Sequence, residues 1–384
     1  MSTAHLYDLL VACADEAIGR MSADGSLPAG NNGPWNDPET PVRNTGHWLL
    51  TFLKVHETTG DDRYRSAAKR ATEYLLSSDR RPHGATFYHR LDGSQDRCNG
   101  LIGQAWTIEA LVGAADGLEH DDALEVAESV FLSHPFDERL AAWKIVDIDG
   151  SVIGFDMTFN HQLWFAAAGA LLAEQPGVDP AIDAQVTRFL DEIDANMNVY
   201  DSGVIRHLLK PEFDVPKYAT VFVDGLRRGT AHKMVAGQLR SIFGRSEEGD
   251  GHDVWHERAI GYHSFNLYAF AILNECYPSH DVWKTSVFDQ ALSFATGEEF
   301  PARLDGNPYG YPYNCSGIEM AYVVDVFGDA DRDSQREWLR RQLTYHYDSE
   351  TKMLSRDTPD PETLTARLYE ATRLPNVRLP ESID

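Results

Sequence analysis

Hydrophobic residues along the chain form two kinds of helical pattern that alternate. In the first kind a polar residue precedes a stretch that is apolar on most sides, as in NGLIGQAWTIEALVGAADG from Asn99. In the second kind, as in residues 63–76, apolar positions recur every three to four residues and leave one side polar. A helix that is apolar all round is buried, whereas a one-sided helix packs on the outside of a core. The alternation therefore predicts helical hairpins, each with an inner and an outer helix.

Five segments of the inner kind are spread over most of the chain. They begin near Asn44, Asn99, Asn160, His263 and Asn314. Asparagine suits these positions because its side chain can cap the start of a helix. Successive starts are 55, 61, 103 and 51 residues apart, a spacing typical of a repeat built from helix pairs. The long third interval predicts one more hairpin, within residues 203–243.

Six hairpins predict an all-α fold, the (α/α)6 toroid or six-hairpin barrel, with terminal helices over residues 5–21 and 362–372 closing the ring. An open solenoid of the same hairpins is the alternative. The toroid is favoured because the inner helices carry polar groups and Trp near their N-terminal ends, as expected if those ends line a shared cavity. No Pro/Ser-rich linker divides the chain, so we expect a single catalytic domain over residues 1–384. The long loops that lead into the inner helices are where a site is expected.

The net charge of the chain limits the classes of partner that it can bind. It carries 60 Asp and Glu against 34 Lys and Arg, a formal net charge of −26. This balance argues against nucleic acid, which attracts cationic surfaces, and equally against an anionic membrane. The basic residues comprise 8 Lys and 26 Arg. Few lysines and many carboxylates favour a salt-adapted, haloarchaeal-type protein, since salt screens the mutual repulsion of the carboxylates; an ordinary acidic cytosolic protein is the alternative.

Several classes of protein lack their usual sequence signals here. The four cysteines form no CxxC pair, which favours reduced thiols over a zinc site or a disulfide framework. The N-terminal residues lack the pattern of a signal peptide, and the longest apolar run, over residues 163–173, is too short to span a bilayer. No HExxH, GxSxG, P-loop or GxGxxG sequence is present. We therefore expect a soluble, cytoplasmic protein without cofactor or metal.

The most suggestive candidate site lies where the chain enters the third inner helix. Asp156 precedes Asn160 by four residues and His161 by five, and it stands among aromatic residues and a methionine. Partial desolvation by these neighbours is expected to raise the pKa of Asp156 toward a range useful for proton donation. A simple helix cap is the alternative, but it would explain only the aspartate. Asn160 and Trp164 are the substrate-binding candidates of this segment.

A second group of candidates precedes and begins the second inner helix. Arg97 can bind a substrate carboxylate with its two-pronged guanidinium group, and Trp106 can stack on a sugar ring. Alternatively, Arg97 pairs with Asp96 and Trp106 packs in the barrel wall. The remaining substrate-binding candidates are found at the starts of the inner helices: His47, Trp48, Asn99, Gln104, Tyr262 and His263.

Two of these stretches resemble segments of the unsaturated glucuronyl hydrolases, which are six-hairpin glycosidases. DMTFNHQLWFA from Asp156 resembles their Asp-x-Met-Met-Asn-Leu-x-Leu-Leu-x-x-Ala segment, and GQAWTI from Gly103 resembles their Arg-Gly-Gln-Ala-Trp-Ala-Ile segment. The order of the two segments is reversed here, and Ile102 replaces the arginine. The resemblance implies that Asp156 is the acid/base, protonating the C4–C5 double bond of an unsaturated uronic acid so that water adds. The second catalytic aspartate of that family has no clear counterpart, and Asp96 is the substitute we consider.

Together these observations predict a glycoside hydrolase-like enzyme that acts on a uronic-acid-containing saccharide. Asp156, Asp96 and His161 are the expected catalytic residues. With its salt-adapted composition, the chain also resembles hydrolase-like proteins of haloarchaeal N-glycosylation gene clusters. A sugar epimerase or isomerase on the same fold is the first alternative, with His161 and His263 transferring protons. A non-catalytic glycan-binding protein is the second.

Overall fold

The computed structural model describes residues 5–209, 223, 226, 251–328 and 330–379 of the chain. Helices dominate the described part. The helices of the first half are α1 (Leu6–Arg20), α2 (Val42–Thr59), α3 (Asp62–Leu76), α4 (Gly100–Leu118), α5 (Asp121–Ser133), α6 (Phe159–Ala173), α7 (Ala181–Asp191) and α8 (Ile193–Asn196). Those of the second half are α9 (Gly251–Gly261), α10 (His263–Cys276), α11 (Ser286–Thr296), α12 (Glu299–Leu304), α13 (Ser316–Phe327), α14 (Arg332–His346) and α15 (Pro361–Ala366).

Short 3-10 helices and strands complete the described elements. The 3-10 helices are Gly33–Trp35, Ser78–Arg80, Asp281–Lys284 and Arg367–Arg373. The strands are β1 (Phe136–Asp137), β2 (Ala142–Val146), β3 (Val152–Phe155), β4 (Tyr347–Asp348) and β5 (Met353–Leu354). We call α15 together with the 3-10 helix that follows it the closing segment, residues 361–373.

Six inner elements form a closed ring. In order around the ring they are α2, α4, α6, α10, α13 and the closing segment, and the closing segment packs back against α2. The outer helices α1, α3, α5, α7, α11 and α14 each pack against the ring. The last inner element touches the first, which an open solenoid would not allow. The prediction of an all-α (α/α)6 toroid is therefore confirmed.

The ring closes by a route that the spacing of the repeats did not predict. Helices α6 and α10 pack directly together: the Trp164 indole N–H donates to the Phe265 carbonyl oxygen at 3.2 Å, and the two rings stack at 4.6 Å. The hairpin expected within residues 203–243 lies for the most part outside the described residues. The two chain termini supply the sixth hairpin, since α1 is the outer helix beside α2 and the closing segment is the sixth inner element. The closing role expected of the terminal helices is confirmed.

Buried glutamines attach the long loops to the inner helices. The Gln104 side chain accepts from the Phe87 N–H at 2.7 Å and donates to the carbonyl oxygens of Phe87 and Cys98. Gln162 makes the same pattern one repeat later, with the backbone of Trp143 and the Asp156 carbonyl oxygen. Buried backbone groups need such partners. Both glutamines therefore fix the path of a loop at the cavity end of the ring.

A small antiparallel sheet, which the sequence pattern did not indicate, positions the loop before α6. Its strand order is β1-β2-β3, with Phe136 opposite Trp143 and Lys144 opposite Phe155. Strand β3 ends immediately before Asp156, so the sheet delivers this aspartate to the start of α6. The four cysteines are free thiols, three of them buried. Within the described ranges, no helix combines the length and the apolar character needed to cross a membrane.

Replacing Leu368 tests whether the closing segment is part of the core. Leu368 is fully buried in the 3-10 helix, so Leu368→Ala should lower the free energy of unfolding by about 2–5 kcal/mol through lost burial and a cavity. Leu91 is 53% exposed, and Leu91→Ala should change it by no more than about 0.5 kcal/mol. Denaturant unfolding of both variants measures the difference. Equal effects would show that the closing segment does not complete the core.

Candidate functional site

One cavity of about 220 Å³ opens at the end of the ring where the inner helices begin. Side chains from the loop before α2, from the N-terminal turns of α4, α6 and α10, and from the closing segment contribute to its wall. The lining residues are Asn32, Trp35, Asp37, Arg90, Gln95, Asn99, Ile102, Trp106, Thr158, Asn160, His161, His207, Tyr262, Phe265, Tyr313, Asn314 and Arg367. The shared cavity expected from the polar starts of the inner helices is therefore present.

Asp156 and His161 form a hydrogen-bonded pair at this cavity. The His161 Nδ1 lies 2.8 Å from the Asp156 Oδ2, which also accepts from the Leu101 N–H at 3.2 Å. The other carboxylate oxygen accepts from the Thr158 N–H at 3.1 Å. Asp156 is buried, whereas His161 is only partly buried and lines the cavity. When Nδ1 carries the proton toward Asp156, Nε2 keeps its lone pair and can act as a base.

The pKa of Asp156 is shifted in the direction opposite to the expectation. Burial raises this pKa, but the neighbouring His161 and the N–H groups of Thr158 and Leu101 outweigh burial, so the pKa lies below its usual value. Asp156 is therefore ionised at neutral pH. The expectation that its neighbours raise this pKa is wrong, because His161 and backbone N–H groups at the starts of α4 and α6 stabilise the carboxylate. Asp156 does not line the cavity itself, so it can affect a ligand there only through His161.

A second imidazole lines the same cavity. Burial and the positive charges of His161 and Arg258 lower the pKa of His207 to about 3. His207 is therefore neutral at physiological pH. Its ring meets that of Tyr262 edge-on at 5.4 Å, and its carbonyl oxygen accepts from the Phe159 N–H. A neutral imidazole in this place can accept or donate a hydrogen bond to a ligand hydroxyl.

Asp37 is the carboxyl group that lines the cavity directly. Its Oδ2 lies 2.7 Å from Arg90 Nε, while its buried Oδ1 has no hydrogen-bond partner. Arg90 also pairs with Asp96 at 3.1 Å. Burial, together with the charges of nearby aspartates, raises the pKa of Asp37 against the opposing effect of Arg90. Of the two carboxyl groups, Asp37 and Asp156, Asp37 is thus the one that holds a proton up to the higher pH.

Two amide groups in the wall are ready to bind a polar ligand. Asn99 Nδ2 is a buried donor and Asn160 Oδ1 a buried acceptor, and neither has a partner. Leaving a buried polar group unpaired costs about 1–3 kcal/mol. A sugar hydroxyl both donates and accepts, so it can satisfy such a pair. Both asparagines were predicted as substrate-binding residues, and both line the cavity.

Aromatic rings form the rest of the wall. Trp35 is 38% exposed, and its indole N–H donates to the Tyr262 hydroxyl at 2.8 Å. Trp106 and Tyr313 face the cavity from α4 and from the loop before α13. A fixed, partly exposed indole ring is a suitable surface for stacking on a sugar ring. The predictions that Trp106 and Tyr262 belong to the site agree with these positions.

A buried ion-pair network underlies the cavity. The Arg367 guanidinium donates to Glu319, Glu370 and the Asn314 side-chain oxygen at 2.6–2.8 Å. Burial raises the pKa of Glu370 to about 7, with Arg367 opposing the shift. The same arginine lines the cavity, so its charge is balanced from below and its position is fixed by three partners.

Three predicted binding residues lie instead in the walls between helices. His47 is buried, stacked on Tyr369 at 4.2 Å and meeting Trp106 edge-on. Trp48 packs on Phe52, and Trp164 stacks between α6 and α10. None of the three lines the cavity: His47 and Trp164 point from their helices toward a neighbouring element, and Trp48 packs along its own helix.

Four further candidates also lie away from the cavity wall. Asp96 caps α4 by accepting from the Gly100 N–H at 2.7 Å and pairs with Arg90. Arg97 is exposed near Tyr88, and Gln104 is fully used in holding its loop. His263 accepts from the Ile205 N–H and bonds to the Ala291 carbonyl oxygen, so both ring nitrogens have structural partners.

Four of the cavity residues that the sequence reasoning missed come from two loops, the one before α2 and the one after α8. Asn32, Trp35 and Asp37 lie in NNGPWNDPE, where turn-forming residues surround an exposed tryptophan. Asn32 adopts a left-handed backbone conformation with φ of 55°, and Asn36 adopts a similar one. This combination was a usable signal. His207 follows α8 and carried no distinctive sequence pattern.

Comparison with solved structures defines the class of fold. At 11% identity the chain superimposes on an unsaturated glucuronyl hydrolase specific for heparin, with a TM-score of 0.61 over 96% of both chains. At 13% identity it superimposes on the cellobiose 2-epimerase of Spirochaeta thermophila, with a TM-score of 0.60 over 96% of both chains. The GH76A α-1,6-mannanase of Salegentibacter sp. gives a TM-score of 0.55 at 10% identity, over 96% of this chain and 98% of the mannanase. The chain thus has the six-hairpin barrel fold of these three proteins, as the resemblance predicted.

The sequence comparison then gives the family. No family model matches the chain. The chain is 44% identical over 369 residues to archaeal glycosylation protein Q of Haloferax volcanii, covering 96% of this chain and 97% of that protein. The chain belongs to the archaeal glycosylation protein Q family.

The ionised state of Asp156 predicts a specific pH dependence of stability. The folded pKa of Asp156 lies below its unfolded value near 3.8, so the ionised carboxylate stabilises the folded protein at pH values above 3.8. This stabilisation is lost as the pH falls through the folded pKa. The stability advantage of the wild type over Asp156→Asn should therefore be full at pH 5–7 (approximate values) and shrink below about pH 4. Urea unfolding across this range measures it. The exposed Asp122→Asn is the control, and an advantage that grows on acidification would contradict the ionised assignment.

Proposed function

We propose that the protein is a carbohydrate-active enzyme acting on a uronic-acid-containing saccharide by a glycoside hydrolase-like reaction. The observation that carries the proposal is the buried, ionised Asp156 bonded at 2.8 Å to a histidine that lines the cavity. The name of the Haloferax volcanii relative and the carbohydrate enzymes among the structural neighbours support a glycan as substrate. The unpaired amides of Asn99 and Asn160 support binding of hydroxyl groups.

In this proposal His161 is the general base and Asp37 the general acid. Asp156 is a positioning residue, since its hydrogen bond to Nδ1 holds the His161 ring and leaves Nε2 as the basic nitrogen. Asp37, with its raised pKa and unpaired Oδ1, delivers a proton to C4 of the unsaturated uronate. Water adds at C5 while His161 takes the proton from that water. The product is a hemiketal, and its opening releases the neighbouring sugar. One water is consumed, and the proton that Asp37 gives up equals the proton that His161 gains.

A sugar epimerase or isomerase is the second candidate. His207 favours it, because a neutral imidazole lines the same cavity as His161 and two imidazoles suit the removal and return of a carbon-bound proton. His263, the partner first considered for His161, has both ring nitrogens engaged by Ile205 and Ala291. The pair to test is therefore His161 and His207.

Turnover of an unsaturated uronyl disaccharide tests the first candidate. Loss of its ultraviolet absorbance should slow about 100-fold or more in His161→Ala and in Asp37→Asn, because general acid–base catalysis contributes about 10²–10⁴. Asp156→Asn should shift the pH profile as well as lower kcat. The exposed His83→Ala is the control and should match the wild type. Undiminished turnover in His161→Ala would show that His161 is not the general base.

A second experiment separates the two candidate reactions. Saturated uronates incubated in D2O should gain deuterium at carbon, with no mass change beyond the exchanged hydrogen, if the enzyme is an epimerase or isomerase. Hydration of the double bond adds the mass of water and releases a second sugar. A preparation that binds saccharide and does neither would identify a non-catalytic glycan-binding protein.

We further propose a cytoplasmic, salt-adapted enzyme in which residues 1–384 form one catalytic domain. A net charge of −26 supports the salt adaptation. The Debye length falls from about 10 Å at 0.1 M to about 3 Å at 1 M salt, so the free energy of unfolding should rise as KCl is raised over that range. Thermal unfolding at several KCl concentrations measures the trend. A flat or falling stability would count against a salt-adapted protein.

A further inference from the structure

Arg258 does not line the cavity but lies beside it among three aromatic rings, at a partly exposed edge that we call the mouth. Its guanidinium carbon lies 4.4 Å from the ring centre of Trp35, 4.7 Å from that of Trp255 and 5.3 Å from that of Tyr309. It occupies the last turn of α9, and its carbonyl oxygen accepts from the Tyr262 N–H at 3.1 Å. Trp35 and Tyr262 line the cavity. The arginine is therefore held beside the cavity by two of its wall residues.

Arg258 differs from the other arginines around the cavity in having no carboxylate partner among the described residues. Arg90 pairs with Asp37 and Asp96, and Arg367 pairs with Glu319 and Glu370. Cation–π contacts hold Arg258, and its buried Nε has no hydrogen-bond partner. Leaving this donor unpaired is costly unless a ligand satisfies it.

The surroundings of Arg258 indicate what such a ligand carries. A planar guanidinium matches the two oxygens of a carboxylate or of a phosphate. Trp35 and Trp255 are 38% and 39% exposed, which leaves indole surface for a sugar ring beside the charge. In a protein with a net charge of −26, binding an anionic sugar requires a cation whose charge is not already neutralised.

We propose that Arg258, with Trp35 and Trp255, forms a subsite at the mouth for the anionic group of a saccharide. The inference rests on the proposed saccharide substrate and names the residue that recognises its charge. Arg258 takes the role first considered for Arg97, whose side chain is exposed away from the cavity wall. The anionic group is a carboxylate, as in a uronate, or a phosphate, as in a phosphorylated or phosphate-linked sugar.

Three probes that differ only at C6 test the proposal by calorimetric titration: methyl glucoside, methyl glucuronide and methyl glucoside 6-phosphate. The wild type should bind at least one anionic probe more tightly than the glucoside. Arg258→Gln should weaken that anionic probe about tenfold or more, equivalent to about 1.4 kcal/mol, while changing the glucoside less than about twofold. Arg258→Lys should be intermediate, since it keeps the charge and loses the planar fork. The anionic probe that loses most identifies carboxylate or phosphate as the source.

Controls separate recognition from folding. Arg336→Gln removes an exposed arginine of the outer helix α14 and should leave all three affinities unchanged. Thermal unfolding of Arg258→Gln shows whether the variant is folded, and Arg258→Lys provides a second variant if it is not. No anionic preference in the wild type, or an equal loss of neutral and anionic probes in Arg258→Gln, would overturn the proposal.

The outcome also stays distinct from that of the proposed function. His161→Ala should keep the anionic preference while losing turnover. Anionic preference that depends on Arg258 in a protein without turnover would support the subsite and refute the proposed reaction. Turnover with a kcat/KM that Arg258→Gln leaves unchanged would support the reaction and refute the subsite.

Discussion

The structure depends on one constraint, the convergence of six inner elements on one end of the ring, where the N-terminal turns of α4, α6 and α10, the closing segment and the adjoining loops line a single cavity. The first turn of a helix leaves backbone N–H groups without partners inside the helix. Here some of those groups bind carboxylates: the Leu101 N–H donates to Asp156, and the Gly100 N–H donates to Asp96. The rest of each inner helix is mostly apolar and packs on its neighbours. The polar groups of the cavity are thereby gathered at one end of the ring, and negative charge is stabilised there.

Buried charge inside the ring follows a second pattern, in which each arginine is balanced by carboxylates. Arg43 pairs with Glu39, and Arg367 pairs with Glu319 and Glu370. Breaking such a pair typically costs about 3–5 kcal/mol because one buried charge is left alone. The network therefore positions the cavity floor rigidly. Arg258 is an exception to this pattern, because it has no carboxylate partner among the described residues. Its charge therefore remains available to a ligand at the mouth of the cavity.

The candidate site could be predicted only close to a helix start. Asn99, Trp106, Asn160, His161 and Tyr262 line the cavity because the first two turns of their helices, or the residue just before the helix, face it. His47, Trp164 and His263 also lie near the starts of inner helices, but they do not line the cavity. A helix start presents side chains in all directions around its axis, so position along the sequence does not tell which one points into the ring and which toward a neighbour.

The sequence by itself determined the helical hairpins, the ring and the end of the ring that carries the chemistry, because the hydrophobic period and the polar residues that precede each apolar stretch are local properties. Only the tertiary structure decided that the two termini form the sixth hairpin and that Asp37 and His207 join His161, since these groups are distant in sequence and meet by packing. It also decided the charge of Asp156. Neighbouring residues suggested a desolvated acid, but donors from Leu101 and His161 make the carboxylate ion the stable form.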